Sequence, residues 1–180
     1  MVIVGRMNAR RTLLLMRHAK SDYPAGVPDH DRPLAPRGIR EAGLAGDWLR
    51  ANTPTIEQVL CSTATRARET LDRTGIDAPV RYTDRLYGAT PGIMIDEIAR
   101  TSDAVVTLLV VGHEPTTSGL TLTLADEGFD EGSDEGSGGA LAARISTKFP
   151  TSAIAVLTVA CAWSALQPRG AALVGFEVPR

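Results

Sequence analysis

Two unbroken apolar runs constrain this chain more than anything else in it: TLLLMR at 12–17 and VVTLLVVG at 105–112. A strand with one wet face alternates apolar and polar residues. An uninterrupted run instead fits a strand covered on both faces, as in a parallel sheet packed between helices. EQVLCS at 57–62 is a shorter run of the same kind. Each run stops at polar residues: Arg17 and His18 after the first, STATR after the second, His113 after the third. Open α/β sheets form their ligand crevices at the carboxyl ends of strands. These three endings are therefore expected to share one edge of one sheet.

The segments between the runs read as helices. After PRG at 36–38, apolar Ile39, Ala42, Ala45, Trp48 and Leu49 recur with the spacing of one helix face. TRARETLDRTG at 65–75 predicts a helix stopped by Gly75, and TPGIMIDEIARTS a further one, with Ile93 and Ile98 available to pack. HEPTTSGLTLTLAD is expected to open a helix with Pro115 in its first turn. SAIAVLTVACAW and AALVGFEV supply two more strands, separated by a turn at Pro-Arg-Gly. Five or six strands alternating with helices predict an α/β fold, a single three-layer αβα domain with a mostly parallel central sheet.

Length and charge narrow the function classes. The 180 residues suffice for one domain, expected over 12–180 behind a loose leader at 1–11, and Met7 competes with Met1 as initiator. A net charge of -2 gives no global argument for nucleic acid or an anionic membrane as partner, so any positive site must be local. No apolar stretch approaches the roughly 20 residues of a membrane span, and the leader lacks the order of a secretory signal. Cys61 and Cys161 sit in apolar runs without metal-ligand spacing and are expected to be buried free thiols, which suits the cytoplasm. The stretch DEGFDEGSDEGSGG at 126–139 is acidic and rich in Gly and Ser, and is expected to be a surface loop. Its carboxylates lack the full calcium-loop spacing.

Converging strand ends would gather Arg17, His18, Arg66 and His113. Two guanidiniums and two imidazoles suit a dianion such as a phosphoryl group, and helices beginning near Thr65 and Glu114 would add free N–H groups and positive dipole ends. Each residue alone has a plainer reading. A histidine after a strand is commonly a hydrogen-bonded structural residue, and Arg66 could pair with Glu69 or Asp72 while Arg68 rivals it for any role. Their joint occurrence, in order, at strand ends favours a site.

The segments LLLMRHAKSD, DRPLAPRG, LCSTATRARET, VVGHEP and FPTSAIAVL together resemble the histidine phosphatase superfamily of phosphoglycerate mutase-like fold, and in particular its short SixA-type phosphohistidine phosphatases. The resemblance runs from about residue 12 to the end, and Ala19 stands where the superfamily usually has Gly. It implies that His18 is a nucleophile that becomes transiently phosphorylated. Arg17 and Arg66 would grip the phosphoryl oxygens, and His113 would complete the pocket as a cation. Asp84, in TDRLYGATPG, resembles in position the acid that larger members use as proton donor; its plainer role is to cap or to pair with Arg85. Elementary chemistry agrees with the main assignments. A nucleophilic imidazole must be neutral with its tautomer fixed, flanking guanidiniums favour the neutral form, and phosphoryl transfer needs positioning and positive charge, which these side chains supply without metal or cofactor.

The expected function is thus a metal-independent phosphatase acting through a phosphohistidine intermediate on phosphohistidine in proteins. The alternatives are a phosphatase of small phosphomonoesters such as sugar phosphates, a mutase, or a phosphate-binding module without turnover. Lys20 and Ser21 could touch substrate or face solvent, His30 is expected to be a loop histidine, Asp31 and Arg32 to brace that loop, and Glu114 to cap the following helix.

Overall fold

The computed structural model describes residues 10–126 and 137–180. Its six strands are β1 (Arg11–Arg17), β2 (Gln58–Ser62), β3 (Val80–Thr83), β4 (Thr107–Gly112), β5 (Ile154–Val159) and β6 (Ala171–Glu177), in sheet order β3-β2-β4-β1-β5-β6. Pairings β1–β4, β2–β4 and β2–β3 are parallel, whereas β5 runs antiparallel to both β1 and β6. The mostly parallel sheet expected from the apolar runs is thus present, with one reversed strand.

Both faces are covered, which is why residues 13–16 of β1 and 108–111 of β4 are unbroken apolar runs. Helices α1 (Pro36–Asn52) and α2 (Thr65–Thr74) cover one face, where Ala45, Leu49, Ala67 and Leu71 pack on Leu14, Met16, Val59, Cys61, Leu109 and Val111. Helices α3 (Pro91–Ala99), α4 (Thr116–Leu124) and α5 (Ser137–Thr147) cover the other, where Met94, Ile98, Leu120, Leu124 and Ile145 meet Leu13, Leu15, Leu60, Leu108 and Val110. Alternate residues of one strand therefore serve two separate cores.

The glycine of PRG has a packing reason. A Cβ at Gly38 would collide with the carbonyl oxygen of Lys20, because α1 starts directly against the segment that follows β1. Ala35 N–H donates to that same carbonyl at 2.9 Å. Gly75 ends α2 with φ 64°, the left-handed stop that the sequence predicts.

Some expectations need correction. The last residues of the acidic stretch, 137–139, are not loop but the opening of α5, whose Ile145 and partly buried Leu141 and Ala142 pack on the core; residues 127–136 lie outside the described residues, and so does the metal reading of their carboxylates. The strand β1 begins at Arg11, inside the expected leader, of which 1–9 are likewise outside the description. Pro115 stands one residue ahead of α4 rather than in its first turn. Both cysteines are free, but only Cys61 is buried, where desolvation raises its pKa to about 12; Cys161 is half-buried.

Candidate active site

The parallel strands β2, β4 and β1 are neighbours, so their carboxyl ends do meet. His18 N–H extends the β1–β4 ladder by donating to Gly112 O at 3.0 Å, and this brings its ring beside that of His113, with centroids 5.1 Å apart. The four side chains Arg17, His18, Arg66 and His113 come together at these strand ends, close enough that the other three all act on the charge of the His18 ring.

The His18 ring is held at both nitrogens. Arg66 Nε lies 3.3 Å from His18 Nε2, and His18 Nδ1 lies 2.7 Å from the carbonyl oxygen of Ala19. A guanidinium can only donate, so Nε2 must present its lone pair and Nδ1 must carry the proton that the carbonyl accepts. The ring is 8 % exposed, and burial, followed by the charges of His113, Arg66 and Arg17, outweighs the favourable carbonyl and pushes its pKa down to about 3. At neutral pH it is an uncharged imidazole whose Nε2 lone pair faces Arg66. The next residues are pinned as well: Ala19 N–H donates to Thr70 Oγ1 at 2.9 Å, and the Thr70 hydroxyl donates to Arg66 O at 2.6 Å.

Arg66, in the first turn of α2, is 5 % exposed. Its outer edge is engaged by Asp29 of the 3-10 turn Asp29–Asp31, where Nη1 donates to the Asp29 carbonyl at 2.6 Å and Nη2 to its carboxylate at 3.2 Å, and the guanidinium lies 5.7 Å from the Tyr87 ring. Neither Glu69 nor Asp72 is that partner; Glu69 instead accepts Leu34 N–H at 2.6 Å. Arg68 points away, exposed over the Tyr82 ring. Arg17 donates from Nη1 to Phe149 O at 2.7 Å, its Nε is buried without a hydrogen-bond partner, and burial lowers its pKa while Glu114 opposes that shift.

His113 follows β4 directly. Its Nε2 lies 2.7 Å from Ser62 Oγ, and its Nδ1 is buried without a partner. Burial, then Arg66, pushes it down to about 4, so the protein alone favours a neutral ring rather than the cation implied by the resemblance. A phosphoryl dianion beside it would oppose that shift.

Comparison with known proteins places the chain in a family. The model of the histidine phosphatase superfamily (branch 1) matches residues 13–102. The chain belongs to the histidine phosphatase superfamily. It is 31 % identical over 119 residues to the phosphohistidine phosphatase SixA of Escherichia coli, covering 62 % of this chain and 73 % of that one. An uncharacterized Mycobacterium tuberculosis protein is 67 % identical over 166 residues, 92 % of this chain and 100 % of that one. Among solved structures, one from Nakamurella multipartitia assigned as a phosphohistidine phosphatase SixA aligns with TM-score 0.84 and 41 % identity over 94 % of this chain and 96 % of that one. A protein histidine phosphatase SixA complexed with tungstate aligns with TM-score 0.69 and 25 % identity over 93 % and 97 %. The chain is of SixA type, a phosphatase on the phosphoglycerate mutase-like fold.

Asp84 stands apart from the buried cluster of this histidine phosphatase. It is exposed in the 3-10 turn Asp84–Leu86 and accepts a hydrogen bond from the Thr63 hydroxyl, which also lies 3.1 Å from His30 Nε2. It does not pair with Arg85, which goes to Glu97 at 2.9 Å. His30 lies at the pocket mouth, its ring edge-on to Tyr87 at 5.0 Å. Ser21 is buried and accepts from Arg32 Nη1 at 2.9 Å, so both residues brace the turn; the partly exposed Lys20 has its ammonium 5.5 Å from the Tyr23 ring. Glu114 accepts from the backbone and hydroxyl of Ser118 in the first turn of α4, as a capping role requires.

Sequence reasoning missed Asp29, Ser62, Thr70 and Tyr87. Ser62 and Thr70 lie inside the quoted segment LCSTATRARET, and their distance in sequence from His18 and His113 hid their role. Asp29 is separated from Tyr87 by 58 positions, yet the Tyr87 hydroxyl donates to its carboxylate at 2.6 Å.

Proposed function

We propose that this protein is a metal-independent phosphatase that transfers the phosphoryl group to His18 Nε2 and then to water, with phosphohistidine in proteins as its substrate. The observation that carries the reading is the fixed His18 tautomer: a neutral ring, with Nδ1–H on Ala19 O and the Nε2 lone pair turned toward Arg66. In-line attack needs that lone pair, and the developing charge needs donors around the equatorial oxygens. Arg17 and Arg66 supply permanent positive charge, and His113 Nδ1, which has no protein partner, is free to hydrogen-bond an oxygen. A relative of this fold, a protein histidine phosphatase SixA, is complexed with tungstate, a tetrahedral oxyanion, which supports a phosphoryl substrate.

The substrate class is argued from openness and from the acid. Only residues 63–64 separate β2 from α2, and only 113–115 separate β4 from α4, so these connections contribute no covering layer. Asp84, the candidate acid, is exposed on a turn and hydrogen-bonded to Thr63, an arrangement that suits a phosphoramidate better than an ester needing strong acid assistance. The free cysteines support a reducing compartment, and we place the enzyme in the cytoplasm. Among the described residues no helix is long and apolar enough to cross a membrane.

The test compares wild type and His18→Ala on para-nitrophenyl phosphate, with and without chelator, and wild type on phosphohistidine and phosphoserine peptides and sugar phosphates. Turnover that is chelator-resistant, lost on substitution and fastest on phosphohistidine is the expected result. A chelator-sensitive rate overturns metal independence, and a preference for sugar phosphates overturns the substrate.

A further inference from the structure

Among the described residues, the turn carrying Asp29 is the acidic element bonded directly to the outer edge of Arg66, and what it can do follows from where it stands. Along the Arg66 guanidinium, Nε faces the attacking nitrogen of His18 at 3.3 Å while Nη2 faces Asp29 Oδ2 at 3.2 Å. His18 is 8 % exposed, whereas the Asp29 side chain is 56 % exposed. The guanidinium therefore spans from the buried nucleophile to the solvent side. In-line transfer places entering and leaving atoms on opposite sides of phosphorus, so a leaving group departs on the side away from His18, and Asp29 is the carboxylate at the solvent end of Arg66.

The carboxylate is built in rather than loosely placed. Its Oδ2 accepts the Tyr87 hydroxyl at 2.6 Å, and its Oδ1 lies 2.9 Å from both Nε and Nη2 of Arg32. Tyr87 in turn packs edge-on against His113, with centroids 5.5 Å apart. The carboxylate is thus tied to the pocket through Arg66 and Tyr87 and to its own turn through Arg32.

We propose that Asp29 accepts the distal ring N–H of the departing histidine and so makes this pocket selective for the P–N bond of phosphohistidine over the P–O bond of an ester. The inference rests on the substrate reading above and deepens it. In the reactive substrate, phosphorus is bonded to one ring nitrogen and the other nitrogen carries a proton. The His18 Nε2 lone pair forms the new N–P bond as the old one breaks, and the electron pair of the broken bond stays on the substrate ring. That ring leaves as neutral imidazole, still holding its distal proton against Asp29. No proton passes through the carboxylate; its negative charge favours the protonated ring, which is the form that can leave. Water then attacks phospho-His18, its oxygen bonding to phosphorus and its protons passing to phosphate and solvent, while the N–P electron pair returns to Nε2. The Ala19 carbonyl plays toward His18 the part that Asp29 plays toward the substrate ring.

Ionisation of Asp29 agrees with this part. The Tyr87 hydroxyl, with Arg66 and Arg32 beside it, outweighs the small desolvation and holds the carboxyl at about 2. At neutral pH it has no proton to give an alkoxide, but it can accept one hydrogen bond from an imidazolium.

The experiment measures kcat on a phosphohistidine peptide and on para-nitrophenyl phosphate, whose aryl oxide leaves without a proton, for wild type, Asp29→Asn and Asp29→Glu. The expected result is a phosphohistidine-to-aryl ratio that falls about tenfold or more in Asp29→Asn and is largely restored in Asp29→Glu. Equal losses on both substrates reduce Asp29 to a prop for Arg66 and overturn the inference, as does an unchanged ratio. A wild-type enzyme that hydrolyses the aryl ester but not the phosphohistidine peptide overturns the substrate reading and this inference together. An active wild type with a flat ratio across the variants overturns the role of Asp29 alone.

Discussion

Two charged clusters in this molecule are near mirror images, and they differ in how far the protein completes them. On α3, Glu97 is 1 % exposed and meets three arginines: Arg81 at 2.7 Å, Arg85 at 2.9 Å and Arg100 at 3.4 Å. Their side chains remain 31, 48 and 58 % exposed, so one buried anion is matched by cations that keep much of their hydration. Around His18 the buried charge is positive, Arg66 is the centre, and among the described residues the carboxylate bonded directly to it comes from one exposed turn. In the first cluster the protein surrounds its buried anion with its own cations, Oε1 being held by the ion pairs with Arg85 and Arg100 rather than by a hydrogen bond, and these pairs fasten β3 and the turn after it to α3. The second leaves Arg17 Nε and His113 Nδ1 without protein hydrogen-bond partners. Buried donors left over in a converging site point to a ligand that supplies the missing oxygens.

Breaking the two clusters should have opposite readouts. His18→Ala is expected to lower kcat by about four orders of magnitude or more, measured with para-nitrophenyl phosphate, with the fold retained by circular dichroism. Arg66→Lys keeps the charge but loses the planar fork that reaches His18 and Asp29 together, and kcat/KM should fall by about a hundredfold. Glu97→Gln should act on stability instead, lowering the unfolding free energy in urea by about 1–3 kcal/mol while activity per folded molecule persists. A large loss of turnover in Glu97→Gln with unchanged stability would erase the distinction between the clusters. The pH dependence is the subtlest test. His18 and His113 have folded pKa values of about 3 and about 4 against an ordinary 6.5, so above that ordinary value they are neutral in both states and add no slope. As pH falls from there, the unfolded chain takes up protons that the folded site refuses, and Tm should drop. His113→Asn should make that drop shallower between about pH 6 and about pH 4.

Much of this was legible in the sequence because burial on two faces leaves an unmistakable pattern. The runs at 12–17 and 105–112 became β1 and β4, and the residues ending them, Arg17, His18 and His113, meet as the topology requires. The strand β3 was not legible: VRYT lies at the sheet edge, with two of its four side chains exposed, and carries no apolar run. The helix α5 was hidden because it begins with Ser-Gly-Gly at the end of an acidic stretch, and its core-facing residues come later in it. Within the site, the strand-end residues could be read because sheet geometry places them. Asp29 and Tyr87 could not, since both sit in turns whose meeting depends on how loops of different strands fold over one another. For His113 the resemblance implies a cation in a site holding phosphate, whereas burial and Arg66 push the ring toward the neutral form in the protein alone.

The reversed direction of β5 carries a consequence for how much of the chain the reaction needs. Because it runs against β1, its beginning lies where the parallel strands have their ends, and the residues leading into it reach Arg17 and His18. Phe149 O takes Arg17 Nη1 at 2.7 Å, and Ser152 N–H is shared between the carbonyls of Arg17 and His18 at 3.2 and 3.3 Å. A chain cut just before this segment would keep the charged and imidazole groups of Arg17, His18, Arg66 and His113 and still lose its aim, since residues 149–180 work as the gunsight for those that precede them.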